Sequence, residues 1–225
     1  MELLVFGHSG ISVLFFPTRK GRFYELENRG IIDALRTKIE NGYLQVFCID
    51  SIDNESFYSQ NNPSHKVVRH LQYENYILNE VLPFIHNENN SDYIIAAGCS
   101  MGAYHAVNIG LRHPDVFNKL LGMSGRYDLC QNLDHYEDLL EGYWDENVYF
   151  NMPSQFIPNL SDDKTLGFMK KQEIVLAVGR QDVFYQNNCD LNHNLWEKGV
   201  NSQLYAWDYE AHSASFWRKM VDCYL

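Results

Sequence analysis

Ser100, Asp182 and His212 are the side chains in this sequence whose types and order could carry out nucleophilic attack on an acyl group. A serine hydroxyl is a poor nucleophile at neutral pH, so it needs a nearby base and an acid that orients the base. The serine lies in Gly98-Cys99-Ser100-Met101-Gly102, a pattern in which a strand turns sharply into a helix. Side chains two residues before and after it would collide with backbone, so both positions need glycine.

The residues around this pentapeptide supply the strand and the helix that the turn requires. Tyr93 to Ala97 is a short apolar run of the kind found in buried parallel strands, and Ala103 to Leu111 has helical spacing. The helix is expected to end at His113, because Pro114 restricts the residue before it. This context favours a nucleophile at position 100 over a glycine-rich structural turn, which the pattern alone leaves open.

The acid and the base are predicted from their positions after two later strands. Asp182 lies four residues beyond the predicted strand Glu173 to Val178, and His212 lies five residues beyond the predicted strand Gln203 to Trp207. Because the carboxyl ends of parallel strands meet at one edge of a sheet, both side chains can reach the serine there.

Other residues of the same types are less suited to these roles. Asp190 and Asp208 are alternative acids, but Asp182 follows the strand after which this architecture places its acid. Three histidines lie on predicted helices or at their ends and are disfavoured as the base: His105, His113 and His193. His8 and Ser9 lie in a turn without a following helix, and we expect no chemical role for them.

The order of the predicted elements indicates an α/β fold. Strand and helix patterns alternate, which selects a mainly parallel sheet with helices on both faces. Leu3 to Phe6 and Ile11 to Phe16, joined by Gly7-His8-Ser9-Gly10, predict an N-terminal antiparallel hairpin. Residues 129–170 lose periodicity and are acidic and aromatic; they form either a cap-like excursion over the site or a long excursion anchored to the core. Without a linker, residues 1–225 are expected to form one domain.

Charge and cysteine usage limit the possible partners and compartment. Twenty-nine acidic residues against 18 basic ones give a net charge of −11, which disfavours nucleic acid as a ligand. The five cysteines have no metal-type spacing, and an odd number argues against a full disulfide framework. The first residues lack the basic region and the long apolar run of a signal peptide or membrane segment, so we expect a cytoplasmic protein.

Attack by the serine also requires two backbone amides that stabilise the oxyanion. Met101, directly after the nucleophile, supplies one by the geometry of the turn. The other is expected from Thr18 or Arg19 in the loop after the strand Ile11 to Phe16, since Pro17 has no amide hydrogen.

These motifs resemble those of the putative esterase family of α/β hydrolases, which includes esterase D, feruloyl esterases and the mycolyltransferases. Besides the serine pentapeptide, the matching segments span nearly the whole chain: Leu111–Phe117, Met123–Asp128, Asn147–Pro153, Gly179–Asp182, and His212 ahead of Phe216-Trp217. The resemblance implies an α/β-hydrolase fold, ester hydrolysis without a metal or organic cofactor, and Arg19 as the second oxyanion donor. Pro17-Thr18 departs from the His-Gly or Asp-Gly that relatives often have at this place.

The sequence therefore predicts a serine carboxylic-ester hydrolase that acts through an acyl-enzyme on small-molecule esters. The alternatives are an acyltransferase with the same triad and, less favoured, a non-catalytic binding protein on the same scaffold. Residues 129–170 and the loop Thr18 to Glu25 should surround the site, and they lack a long apolar run, which favours short acyl chains. Their many acidic groups predict weaker turnover of anionic esters.

Overall fold

The computed structural model describes all 225 residues and contains a seven-stranded sheet. The strands are β1 (Leu3–Phe6), β2 (Ile11–Phe16), β3 (Leu44–Ile49), β4 (Ile94–Cys99), β5 (Lys119–Met123), β6 (Glu173–Gly179) and β7 (Ser202–Trp207). Their order across the sheet is β1-β3-β2-β4-β5-β6-β7. All neighbours pair in parallel except β1 and β3, so the predicted mainly parallel α/β sheet is confirmed.

The predicted N-terminal hairpin is wrong, because β3 lies between the two strands that the glycine turn connects. β1 pairs with β3 in the antiparallel direction, and β2 pairs with β3 in the parallel direction. Gly7 and Gly10 have φ angles of +97° and +98°, and a Cβ on Gly10 would lie 2.3 Å from the backbone of Tyr43. The two glycines thus let the chain cross closely over the start of β3. In the sequence, glycines with this spacing look the same whether they form such a crossing or a tight hairpin turn.

Six helices connect the strands up to β5, three belong to the long segment between β5 and β6, and two more follow β6 and β7. The connecting helices are α1 (Glu25–Asn28), α2 (Ile31–Ala34), α3 (Arg36–Glu40), α4 (Pro63–Tyr76), α5 (Leu82–Glu88) and α6 (Met101–Arg112). A π-helical turn at Ile77–Val81 joins α4 to α5. The remaining helices are α7 (Glu146–Phe150), α8 (Pro153–Phe156), a 3₁₀ turn at Ile157–Asn159, α9 (Asp163–Met169), α10 (Tyr185–Glu197) and α11 (Ala214–Tyr224).

Alternate residues of the central strands build a core on each face of the sheet. Leu14 and Phe16 of β2 point to the face covered by α4, α6 and α10, whereas Val13 and Phe15 point to the face covered by α1 to α3 and α11. All four side chains are completely buried. Because β2 to β7 run parallel, their carboxyl ends lie along one edge, where the loops that carry polar side chains emerge. None of the helices is long and apolar enough to cross a membrane.

The segment 129–170 is anchored to the rest of the molecule by its own small core. Leu129, Leu140, Val148 and Met152 are fully buried and pack against residues that include Met101. The part of the segment up to Met152 therefore packs beside the first turn of α6, whereas Phe156, Ile157 and Met169 belong to the core on the face covered by α4, α6 and α10.

Candidate active site

Ser100 lies at the apex of the turn between β4 and α6 with a strained backbone, φ 56° and ψ −118°. Its amide donates to the carbonyl of Met123 at 2.8 Å. A Cβ on Gly98 would lie 2.1 Å from the carbonyl oxygen of Gly102, and a Cβ on Gly102 would lie 2.4 Å from that of Phe16. Both flanking glycines are therefore required by close backbone contacts, as the pattern predicts.

The fold brings Ser100, His212 and Asp182 together. Nε2 of His212 lies 3.0 Å from Oγ of Ser100, and Nδ1 lies 2.9 Å from Oδ2 of Asp182. Oδ1 of Asp182 accepts a hydrogen bond from the amide of Phe184 at 3.0 Å, so one oxygen holds its own loop while the other faces the imidazole. The Asp182 side chain is 1% exposed and that of His212 is 13% exposed, so the imidazole is the member of the pair that remains open to the cavity.

The loops that carry Asp182 and His212 are fastened to each other. The amide of Gln181 donates to the carbonyl of Tyr209 at 3.0 Å. A Cβ on Gly179 would lie only 1.9 Å from the carbonyl oxygen of Glu210, so glycine at the end of β6 permits the loop after β7 to fold back. The rings of Phe184 and Trp217 flank the imidazole, with centroids at 5.8 and 5.5 Å.

The other candidate acids and bases lie away from Ser100. Asp190 accepts a hydrogen bond from Gln186 on the surface of α10, and Asp208 is exposed. His105 lies 3.0 Å from Oδ1 of Asp53, and His113 lies 3.0 Å from Oε1 of Glu74. Neither His193 nor the turn residues His8 and Ser9 contact the serine; His193 is exposed, and Ser9 bonds the carbonyl of Gly42.

Two backbone amides near Ser100 make no hydrogen bond within the protein. Met101 is the first residue of α6, so its amide has no partner inside the helix. In the loop after β2, Oε2 of Glu25 accepts from the amide of Thr18 at 2.8 Å, and Oδ2 of Asp53 accepts from the amide of Lys20 at 2.8 Å. Of the two donors that the sequence left open, only Arg19 has an amide without a partner in the protein.

The serine opens into a cavity of about 250 Å³. Its walls are formed by Thr18, Arg19, Arg29, Tyr58, Ser100, Met101, Arg126, Tyr136, Phe184, His212 and Trp217. The loop after β2 contributes two of these residues, and segment 129–170 contributes Tyr136, whose ring packs at a tilt against Phe184 at 4.6 Å between centroids. The lining contains three arginines and no Asp or Glu, so the expected acidic surround is wrong. None of the acidic residues of segment 129–170 lines the cavity.

Comparison with known proteins assigns this sequence to a family. A family model with the description "Putative esterase" matches residues 5–217. The chain belongs to this esterase family. The esterase is therefore an enzyme that hydrolyses carboxylic esters, and the serine turn makes it a serine esterase, as the sequence predicts. A search of curated proteins by sequence found no match.

Solved structures share the α/β-hydrolase fold of the esterase at low sequence identity. A ferulic acid esterase has a TM-score of 0.70 at 19% identity, with 96% of this chain and 84% of that chain covered. An S-formylglutathione hydrolase from Agrobacterium tumefaciens has a TM-score of 0.74 at 17% identity, with coverage of 98% and 86%. The fluorophosphonate-binding serine hydrolase F from Staphylococcus aureus has a TM-score of 0.70 at 19% identity, with coverage of 96% and 82%.

Sequence reasoning missed the side chains that support the oxyanion loop and line the cavity. Glu25 and Asp53 hold the amides on either side of Arg19, and Arg126 follows β5, the strand next to the serine strand. A signal for Arg126 existed, because a polar residue after a central parallel strand lies at the same edge as Ser100 and Asp182.

Proposed function

We propose that the esterase cleaves short-chain carboxylic esters through an acyl-enzyme on Ser100, with His212 as general base and acid and Asp182 as the acid that orients it. The observation that carries this proposal is the pair of hydrogen bonds at His212, 3.0 Å to Ser100 and 2.9 Å to Asp182. A base within 3.2 Å of the nucleophile and oriented from its far side is the arrangement that activates serine.

In the proposed reaction, Oγ of Ser100 attacks the ester carbonyl while Nε2 of His212 takes the hydroxyl proton. The negative charge that develops on the carbonyl oxygen is stabilised by the amides of Met101 and Arg19, which need not break protein hydrogen bonds to reach it. The tetrahedral intermediate expels the alcohol, which takes the proton from His212, and leaves the acyl-enzyme. Water then repeats the cycle, giving its proton to His212 and releasing the acid.

The size of the cavity supports a short acyl group. A volume of about 250 Å³ lies below the range of roughly 300–1,000 Å³ that is usual for drug-sized ligands. Phe184 and Trp217 close it beside the imidazole, and Tyr136, from the segment after β5, packs against Phe184. We propose that Tyr136 and its neighbours act as a small cap, and that kcat/KM falls beyond about six acyl carbons.

The test is a panel of 4-nitrophenyl esters of graded acyl length, run on wild type, Ser100→Ala and Ser9→Ala. Ser100→Ala should lower kcat by several orders of magnitude while retaining the fold, because the oxyanion amides alone give little turnover. Ser9, whose hydroxyl bonds only the carbonyl of Gly42, is the matched control and should keep wild-type kcat. Unchanged turnover in Ser100→Ala would remove the mechanism.

The same assay can distinguish hydrolysis from acyl transfer to an alcohol. Millimolar glycerol or sugar is added, and the acyl group is traced to acid or to the new ester. Transfer needs a pocket that holds an acceptor alcohol against the acyl-enzyme better than water at about 55 M. We expect the free acid as the main product. If most of the acyl group were found on the acceptor, the protein would be an acyltransferase and the proposed hydrolysis would be wrong.

A further inference from the structure

The charge inside the cavity is opposite to the charge of the whole chain. The protein carries a net charge of −11, yet the cavity lining includes Arg19, Arg29 and Arg126 and no acidic residue. Glu25 lies 2.8 Å from Arg29 and compensates that arginine. The other two arginines form no ion pair within 4 Å, so positive charge is concentrated where the ester must bind.

Arg126 is the more informative of the two, because it is buried with neutral partners only. The residue is 4% exposed. Its Nε donates to the carbonyl of Asp128 at 3.2 Å, and its Nη2 donates to three more carbonyls, those of Leu129, Gln131 and Glu137. These bonds fix the guanidinium in position and leave its charge without a carboxylate.

Two acids, Asp128 and Asp138, act on the charge of Arg126, but neither forms an ion pair with it. Asp128 accepts from the amide of Cys130 at 2.9 Å and from the side chain of Gln155. Asp138 accepts from the amides of Leu140 and Gly142, each at 2.7 Å. Burial lowers the pKa of Arg126, but an arginine starts so high that the group remains charged at neutral pH. A buried cation that no carboxylate contacts is costly, and an anionic ligand would lower that cost.

The third guanidinium nitrogen of Arg126, Nη1, makes no hydrogen bond within the protein. Since the residue is nearly buried and lines the cavity, this nitrogen can be reached only from there. Arginine binds carboxylates through such directed donors, and hydrogen bonds between charged partners are about twice as strong as neutral ones.

Tyr58 and Arg19 add donors on the same wall. The guanidinium carbon of Arg19 lies 5.6 Å from the centre of the Tyr58 ring. Burial, together with the charge of Asp53, raises the pKa of Tyr58 to about 12 against the opposing effect of Arg19 and Arg126. The phenol therefore keeps its proton at neutral pH and can donate it in a hydrogen bond.

We infer that Arg126, Tyr58 and Arg19 form a carboxylate-binding subsite beside Ser100, so that the preferred substrates are esters with a carboxylate on the acyl or the alcohol part. This inference rests on the proposed function, because the subsite selects the ester that Ser100 cleaves. It reverses the expectation, drawn from overall charge, that anionic esters react poorly.

The experiment compares charged esters with neutral esters of nearly equal size on wild type. The acyl arm uses 4-nitrophenyl hydrogen adipate and its primary amide, and the alcohol arm uses 3-acetoxybenzoate and 3-acetoxybenzamide. We expect kcat/KM for the carboxylate to exceed that of its amide by about tenfold to a hundredfold in one arm, the effect of one or two charge-assisted hydrogen bonds. The arm that shows it identifies which part of the ester faces Arg126.

Variants then assign the preference to the subsite. Arg126→Gln and Arg19→Gln should each lower the ratio of carboxylate to amide kcat/KM, a ratio that cancels any loss of folded protein. Arg69→Gln removes the same charge at an exposed position paired with Glu55, and it should keep the wild-type ratio. A preference that survives both Arg126→Gln and Arg19→Gln overturns the assignment.

The outcomes also separate this inference from the proposed function. Equal rates for carboxylate and amide in both arms, with turnover that still depends on Ser100, overturn the subsite alone. If none of the four esters is cleaved and Ser100 does not react with a fluorophosphonate, the proposed function fails and the subsite fails with it.

Discussion

The carboxylate of Asp53 accepts a hydrogen bond from the backbone amide of Lys20 at 2.8 Å, although the two residues are 33 positions apart. Its second oxygen lies 3.0 Å from Nε2 of His105 on α6, and its side chain is fully buried. Lys20 has a φ of 58°, a left-handed conformation that reverses the chain directly after Arg19. Asp53 thus links the proposed oxyanion loop to the helix that begins at the nucleophile.

Asp53→Asn should lower kcat on a neutral activated ester by about tenfold with little change in KM. Asparagine would place its own NH₂ group against either the amide of Lys20 or Nε2 of His105, and one of these two hydrogen bonds would be lost. The neighbouring amide of Arg19 would then lose its fixed position. In the proposed mechanism this amide acts only in the transition state, so kcat falls and KM does not. Steady-state kinetics measure the effect. Asp50→Asn is the control, because Asp50 holds the amide of Phe23 in the same loop at 3.1 Å. Equal loss of kcat in both variants would contradict a specific role for Asp53.

Asp182→Asn should lower kcat about a thousandfold or more, since an amide in place of the carboxylate holds the imidazole in the wrong tautomer. Asp208→Asn, at an exposed position four residues before His212, should keep nearly full activity. The comparison needs only kcat for the two purified variants. The acid assignment would be wrong if the second substitution were the more damaging one.

Arg19→Ala should cost less than about tenfold in kcat on a neutral ester, because the backbone amide remains. Arg19→Pro deletes that amide and should cost about a hundredfold or more. In the proposals above, the guanidinium binds charge in the substrate and the amide stabilises the oxyanion, so the two substitutions test different roles of the same residue. Equal losses on a neutral ester would show that the amide has no special part.

His70 should make the esterase less stable in mild acid. It is buried, its Nε2 lies 3.0 Å from Oδ1 of Asn151, and its Nδ1 has no partner. Burial, with a further effect of His105, lowers the pKa of His70 to about 3. The unfolded chain, with a histidine pKa near 6.5, therefore binds a proton first, and the free energy of unfolding should fall by about 1.4 kcal/mol per pH unit below roughly pH 6.5.

Urea unfolding of wild type and His70→Gln at pH 7, 6 and 5 tests this dependence. His70→Gln should be less stable at pH 7 and should lose less stability between pH 7 and pH 5. His135→Gln, at a histidine side chain that is 91% exposed, should follow wild type. The same slope in all three proteins would show that His70 does not titrate as described.

The residues nearest the chemistry were predictable because backbone geometry fixes their spacing. Glycine at positions 98 and 102 is forced by contacts of 2.1 and 2.4 Å, so the serine turn has a local signature. The acid and the base follow strands, and parallel strands bring their carboxyl ends together whatever the intervening sequence. These arguments need no knowledge of side-chain packing.

The strand order at the N-terminus and the polarity of the cavity could not be predicted in this way. Gly7 and Gly10 are compatible with a hairpin, and only the pairing of β3 with both strands decides against it. Arg126 is held by four main-chain carbonyls, which every residue possesses, so no sequence pattern marks its partners. Overall charge gave the wrong sign for the cavity because it does not report which way each side chain points.

The contact of Gly102 with the carbonyls of Phe16 and Pro17 has a consequence for how this enzyme could change. It packs the first turn of α6, which begins at Met101, against the backbone directly before the loop that carries Arg19. Residues 131–137 accept hydrogen bonds from Arg126 at Gln131 and Glu137, carry Tyr136, and lie outside the core cluster that contains Met101. Selection or design can therefore exchange these residues for others with a different charge or shape and retain the backbone that positions the proposed oxyanion donors, which makes the chain a scaffold for altered specificity.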